Sequence, residues 1–256
     1  MYKLSITFLI LLNAYQTVAQ VDSLIKQINE VDNLKAANAY IELSDYYLGK
    51  NSDSLFYYGL KAFSTSVLIS NDTIKERALL NMGSGMFYIQ KYDSALCYYD
   101  EIITNDEIID SYIFAKALSN KCIVFYYQGD YTKALICFLE SAEFREKNNL
   151  DISIVYSQMA VIYQQTEDYD KAKKAYKKSY EESLVSKELN SSLSNLASLF
   201  VKLEEYDSAL FYSQKALKYY RQYKTLSKES HALGLIGYAS LKLHNYYHSL
   251  SFFDSA

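Results

Sequence analysis

The chain has 256 residues, half of them hydrophobic, with 28 tyrosines, 7 glycines, no proline and no tryptophan. Helix breakers this scarce argue against a β-rich fold and for a helical one. A formal charge of −4 supplies no footprint for nucleic-acid phosphates, so nucleic-acid binding is not expected of this region.

The first segment differs in kind from the rest. Lys3 opens a short apolar run from Leu4 to Leu12, softened by Ser5 and Thr7, and the segment ends Thr17-Val18-Ala19 before Gln20. A basic start, an apolar stretch and small residues before a cut site predict a secretory signal peptide over 1–19. The run is too short to span a bilayer stably; an N-terminal capping helix or membrane anchor is the alternative. No cysteine lies near the cut, so no lipid anchor is expected there. The product is expected to be exported, in a periplasmic or other extracytoplasmic space. Residues 20–33 read as a lead-in segment or helix.

A repeat follows over 34–256. Tyr92-Asp93-Ser94-Ala95-Leu96 returns as Tyr131-Thr132-Lys133-Ala134-Leu135, Tyr169-Asp170-Lys171-Ala172-Lys173 and Tyr206-Asp207-Ser208-Ala209-Leu210, with weaker echoes around Leu55 and Ser249. From Leu55 through Ala95, Ala134, Ala172 and Ala209 to Ser249 the steps are 40, 39, 38, 37 and 40 residues, a period that belongs to solenoids. Ahead of each turn motif, apolar residues recur at offsets of three and four: Leu79, Met82, Met86; Leu118, Cys122, Phe125; Tyr156, Met159, Tyr163; Leu193, Leu196, Phe200; Leu233, Ile236. That spacing predicts a first helix in each unit. Asp93, Thr132, Asp170 and Asp207 are placed to cap a second helix, with the preceding tyrosine folding over the turn and the following alanine permitting close approach. Tyr99 with Ile102, Phe138 with Ser141 and Tyr176 with Ser179 would form its buried ridge. One such pair cannot bury its apolar face alone, so neighbouring pairs must stack.

Met82-Gly83, Met159-Ala160, Leu196-Ala197 and Ile236-Gly237, the aromatic or long residue three positions on, and the Tyr-Asp-x-Ala turn resemble the tetratricopeptide repeat. The resemblance implies an all-α fold, a right-handed α-α superhelical solenoid of six helix-turn-helix units, the first degenerate and the last truncated. Two departures stand out: the tryptophan usual near the start of each unit is replaced by Leu or Tyr, and the proline usual after the second helix is absent. Units of 37 to 40 residues instead of 34 predict longer helices or wider connections.

Signatures of chemistry are weak throughout. Gly83-Ser84-Gly85 lacks the Gly-Lys-Ser/Thr of a phosphate loop and lies inside a helix pattern, where glycine permits close packing. His244 and His248 are four apart but straddle a predicted turn with no accompanying Glu. Paired carboxylates such as Glu181-Glu182 are expected on exposed helix positions, where hydration gives no reason for catalytic tuning. No catalytic residue, metal site or cofactor is expected, and the chain does not read as an enzyme. Cys97, Cys122 and Cys137 are expected to be free thiols: Cys97 and Cys137 start successive second helices about 10 Å apart, beyond disulfide reach of about 7 Å.

What remains is a groove. By the resemblance, first helices line a concave face, and the residues that spacing directs there include Arg77, Asn81 and Ser84; Lys116, Asn120, Ile123 and Tyr126; Gln158 and Val161; Asn195 and Ser198. Asn81, Asn120, Gln158 and Asn195 recur at one position and can hydrogen-bond an extended peptide with both donor and acceptor. Lys116 and Asn120 resemble a fragment of a carboxylate clamp, but no later first helix supplies the remaining basic residues, so an acidic chain terminus is not the expected ligand. Ala256 falls at a packing position inside the sixth second helix, and arrays need a terminal cap, so a longer protein is expected. Two functions fit: an exported scaffold binding a protein or peptide, or the extracytoplasmic sensor of a signalling protein whose membrane span and histidine-kinase or DNA-binding output lie beyond residue 256.

Overall fold

The computed structural model describes residues 19–29, 32–105, 110–186, 191–223 and 225–243, and every regular element among them is helical. After α1 (19–28) come α2 (Asn33–Tyr47), α3 (Ser52–Leu68), α4 (Asp72–Tyr88), α5 (Tyr92–Ile103), α6 (Ser111–Tyr127), α7 (Tyr131–Lys147), α8 (Ser153–Gln165), α9 (Tyr169–Ser186), α10 (Ser192–Lys202), α11 (Tyr206–Gln222) and α12 (Leu226–Lys242). The expected signal peptide up to Val18, His244, His248 and the sixth second helix lie outside the described residues. Among the described residues no helix is long and apolar enough to cross a membrane. The helices fall into two compact units, residues 1–130 and 131–256.

In the first unit, α3 packs between α2 and α4. Ala37 and Ile41 from α2, Ala62 from α3, and Ile74 and Ala78 from α4 form one buried cluster. The α5 helix is likewise enclosed by α4 and α6, through Leu79, Ala95, Tyr99, Ile102, Ile113 and Ala117. Both second helices of this unit, α3 and α5, are therefore covered by their own first helix and by that of the following pair, which is the stacking the apolar ridge required. The second unit repeats the plan: Ala160, Ala172, Tyr176, Leu196, Phe200 and Ala209 join α8, α9, α10 and α11, and Leu193, Ala216, Tyr220, Ala232 and Ile236 join α10, α11 and α12. The turn-motif alanines Ala95, Ala134, Ala172 and Ala209 are all fully buried. Any larger side chain there would hold the paired helices apart.

The residues beyond the 34-residue family period lengthen helices of both kinds: the first helices α4, α6 and α12 have 17 residues each. The α3, α7 and α11 helices have 17 residues and α9 has 18, whereas α5 has 12 and is followed by a longer connection.

The turns depart from expectation in one respect. The helices begin at Tyr92, Tyr131, Tyr169 and Tyr206, and the first intrahelical acceptors are the carbonyls of Lys91, Asp168 and Glu205. Asp93, Asp170 and Asp207 thus lie in the first turn, as the second helical residue instead of the expected cap, where their charge faces the positive end of the helix dipole. Thr132 is likewise the second residue of α7. The reason is a tight left-handed turn immediately before. Gln90, Gly129, Glu167 and Glu204 have φ of 62°, 82°, 61° and 59°. The next amide, from Lys91, Asp130, Asp168 or Glu205, donates back to the carbonyl five residues earlier, closing each first helix in a Schellman arrangement. The tyrosines reach varied partners: Tyr92 lies against Phe87, Tyr169 under Lys202 and Tyr206 against Tyr238.

The cysteine expectation is corrected as well. Cys97 is free and exposed, but Cys122 and Cys137 are disulfide-bonded. Cys122 lies on the first helix α6, so the distance between successive second helices does not bear on it.

Candidate functional site

The first unit carries a groove of about 600 Å³ walled by α4 and α6, with the end of α2 at one side. Its position follows from sequence. Asn71 caps α4 by accepting from the Ile74 amide (2.9 Å), and Asp110 caps α6 by accepting from the amides of Tyr112 (2.8 Å) and Ile113 (3.1 Å). The apolar faces of both helices are then held on α5. Gly83 sets how closely α4 approaches: a β-carbon there would stand 2.6 Å from the ring of Tyr99. The opposite faces of α4 and α6 are left to form the groove.

Arg77, Asn81, Ser84, Lys116 and Asn120 all line it. Ile123 lines a smaller adjoining cavity of about 100 Å³ with Ser84, Phe87, Tyr88, Tyr99 and Asn120. Tyr126 is half-buried with its ring edge-on to Tyr127. Gln158, Val161, Asn195 and Ser198 belong to the second unit. There Gln158 and Asn195 are half-buried, Val161 packs on the core cluster, and Ser198 donates to the Ser194 carbonyl of its own helix.

Six lining residues escaped the sequence reading: Asp45, Leu48, Tyr88, Asp110, Tyr112 and Ile113. Leu48, Tyr88 and Tyr112 are exposed apolar surface at the groove. Asp110 was legible in principle, as an aspartate just before a helical pattern. Asp45 was not, because it lies in the degenerate first unit.

The polar groups are ordered by one another. Asp45 accepts from Arg77 Nη2 at 2.8 Å and from Asn81 Nδ2 at 2.7 Å. Lys116 Nζ lies 4.9 Å from the centre of the Tyr112 ring. Beneath the groove, the Tyr99 hydroxyl donates to Ser84 Oγ at 3.4 Å and is hydrogen-bonded to Asn120. Burial pushes the Tyr99 phenol up to about 12, against the opposing pull of those two hydrogen bonds. The first two rungs of the asparagine ladder are therefore tied into the protein, each with hydrogen-bonding capacity left over, since an amide side chain has two N–H groups and two lone pairs. The groove can bind by shape, aromatic contact and hydrogen bonds.

The tetratricopeptide repeat family model matches residues 114–181. A search of curated proteins returned no match. Among solved structures, similarity extends to a Rap protein complexed with competence and sporulation factor, at 15% identity over 88% of this chain and 64% of that one, with a TM-score of 0.63. A signal-transduction ATPase with a tetratricopeptide repeat sensor from Pyrococcus horikoshii is similar at 14% identity over 90% and 37% of the two chains, TM-score 0.67. The apo quorum sensor NprR from B. thuringiensis is similar at 14% identity over 94% and 70%, TM-score 0.65. The chain thus spans less than two thirds of the length of the first two. Paired helices, the repeat period and these likenesses define an all-α helical-repeat solenoid. Within that class, residues 114–181 match the tetratricopeptide repeat, and the helix pairs on either side follow the same plan.

Proposed function

We propose that this protein is an exported, non-enzymatic scaffold whose first-unit groove holds an extended peptide or a segment of a partner protein. The observation that carries the reading is the groove itself: a trough of about 600 Å³ with exposed Leu48, Tyr88 and Tyr112 at its walls and Asn81, Lys116 and Asn120 among its polar lining residues. Apolar walls with a few placed polar groups suit a ligand gripped by its side chains and oriented through its backbone. Residues 1–19 and the disulfide-bonded Cys122 and Cys137 both support export, since disulfides persist in oxidising compartments.

The test is selection of random displayed peptides on the purified chain, followed by calorimetric titration. Asn120→Ala combined with Lys116→Ala is expected to weaken a selected peptide at least about tenfold, the effect of losing one or two groove hydrogen bonds. Tyr57→Ala, on an exposed residue outside the groove, is expected to change nothing. Equal affinity in all three proteins, or no enriched peptide, would sink the reading.

A second reading is the sensor region of a larger signalling protein. It is favoured by the likeness to two proteins described as sensors, of which this chain covers 37% and 70%. Fractionation of the full gene product decides between the two: a membrane-bound product with an output domain supports the sensor, and a released one supports the scaffold.

A further inference from the structure

Arg77 and Asn81 lie one turn apart on α4 and aim their donors at a single acceptor. One reaches Asp45 Oδ2 at 2.8 Å and the other Oδ1 at 2.7 Å. Two donors on the two oxygens of one carboxylate, one of them a guanidinium, form a receptor for a carboxylate group. The group filling it arrives from α2, and it does so in the groove wall: the side chains of Asp45 and Arg77 are 44% and 43% exposed. The neighbouring Asp110 is committed to the amides at the start of α6.

We propose that Asp45 is the resident occupant of the groove's carboxylate position, and so a specificity-determining residue: it makes the intact groove reject acidic peptide segments and accept uncharged or basic ones. The inference rests on the reading of the groove as a peptide site. A ligand carboxylate entering beside Arg77 must displace Asp45 and then share the groove with its charge. A ligand amide or ammonium meets no such conflict, because the outward lone pairs of Asp45 still accept. Neutralising Asp45 leaves the donors of Arg77 and Asn81 without their anion, and a free carboxylate can then take its place.

The experiment uses the full chain labelled with nitrogen-15, as wild type, Asp45→Asn and Asp45→Ala. Each is titrated with N-acetyl-trialanine as the free acid and as the C-terminal amide, with the Asn81 side-chain amide resonance as readout. In the variants the acid is expected to saturate the shift at a concentration at least about tenfold below the amide, the preference of a charge-assisted hydrogen bond. Wild type is expected to show no preference for the acid. Adding Arg77→Gln to Asp45→Ala should remove the preference. Variants with native circular dichroism that fail to discriminate acid from amide would overturn the proposal, as would a wild type that prefers the acid equally. Asp45→Asn keeps the shape of the side chain, so the test survives if Asp45→Ala does not fold. Failure of the peptide selection with success here would remove the function and leave the carboxylate position standing; the reverse would remove only Asp45's role.

Discussion

Gly83 and Tyr99 show how one missing methyl group positions a site. The Tyr99 ring is buried, 1% exposed, and lies where a Gly83 β-carbon would be. Gly83→Ala gains about 1 kcal/mol of helix propensity but forces a rigid ring to move in a packed core, at a cost of about 1–3 kcal/mol. We expect net destabilisation of up to about 2 kcal/mol by urea unfolding. The same ring makes a pH prediction. The folded pKa of Tyr99 is raised to about 12 from an ordinary 10, chiefly by burial, so the folded protein holds a proton that the unfolded chain releases. Stability is therefore full below pH 10 and falls as pH rises through 12, by on the order of 2 kcal/mol from this residue. Thermal melts from pH 9 to 12 should show that fall, and Tyr99→Phe should make it shallower. The packing role of Gly83 was legible from its place in a helical pattern. Asp45's role was not, because its partners are 32 and 36 residues away and only the stacking of α4 on α2 brings them together.

At the scale of the element, helix ends explain what periodicity could and could not reveal. Apolar spacing identified the helical pairs, since burial on one face repeats every three or four residues. It could not place their ends, because Gln90, Glu167 and Glu204 take left-handed backbone that L-residues other than Asn seldom adopt. A glutamine or glutamate there gives no turn signal, and the conspicuous aspartates three positions on are taken for caps. Each such residue carries about 0.5–1 kcal/mol of avoidable backbone cost. Gln90→Gly, Glu167→Gly and Glu204→Gly are thus each expected to stabilise by about that amount, and additively, since such distant sites are independent. Differential scanning calorimetry of the triple variant checks this; an unchanged or lower Tm would contradict it. In the other direction, Asp110→Ala should cost about 1 kcal/mol through loss of two capping bonds.

For the whole molecule, the repeat motif was strong enough to give the fold class because a residue pattern returning every 37 to 40 positions has few other solutions. The groove was legible only in part: spacing found the residues on α4 and α6, whereas the contributions of α2 and of the aromatic walls depended on packing. The thiols test the molecule's covalent frame. Alkylation of the denatured, unreduced protein should modify Cys97 alone, and all three cysteines after reduction, read by mass spectrometry. The claim on which the rest depends is that the first-unit groove is where a partner sits. It is tested most directly by placing a photo-crosslinking amino acid at Tyr112 in the groove, or at Tyr57 outside it, in the protein expressed in its own cell. A discrete crosslinked partner is expected from position 112, sequenced as an extended segment, and none from position 57. Crosslinks of equal yield from both positions, or from position 57 alone, would contradict it.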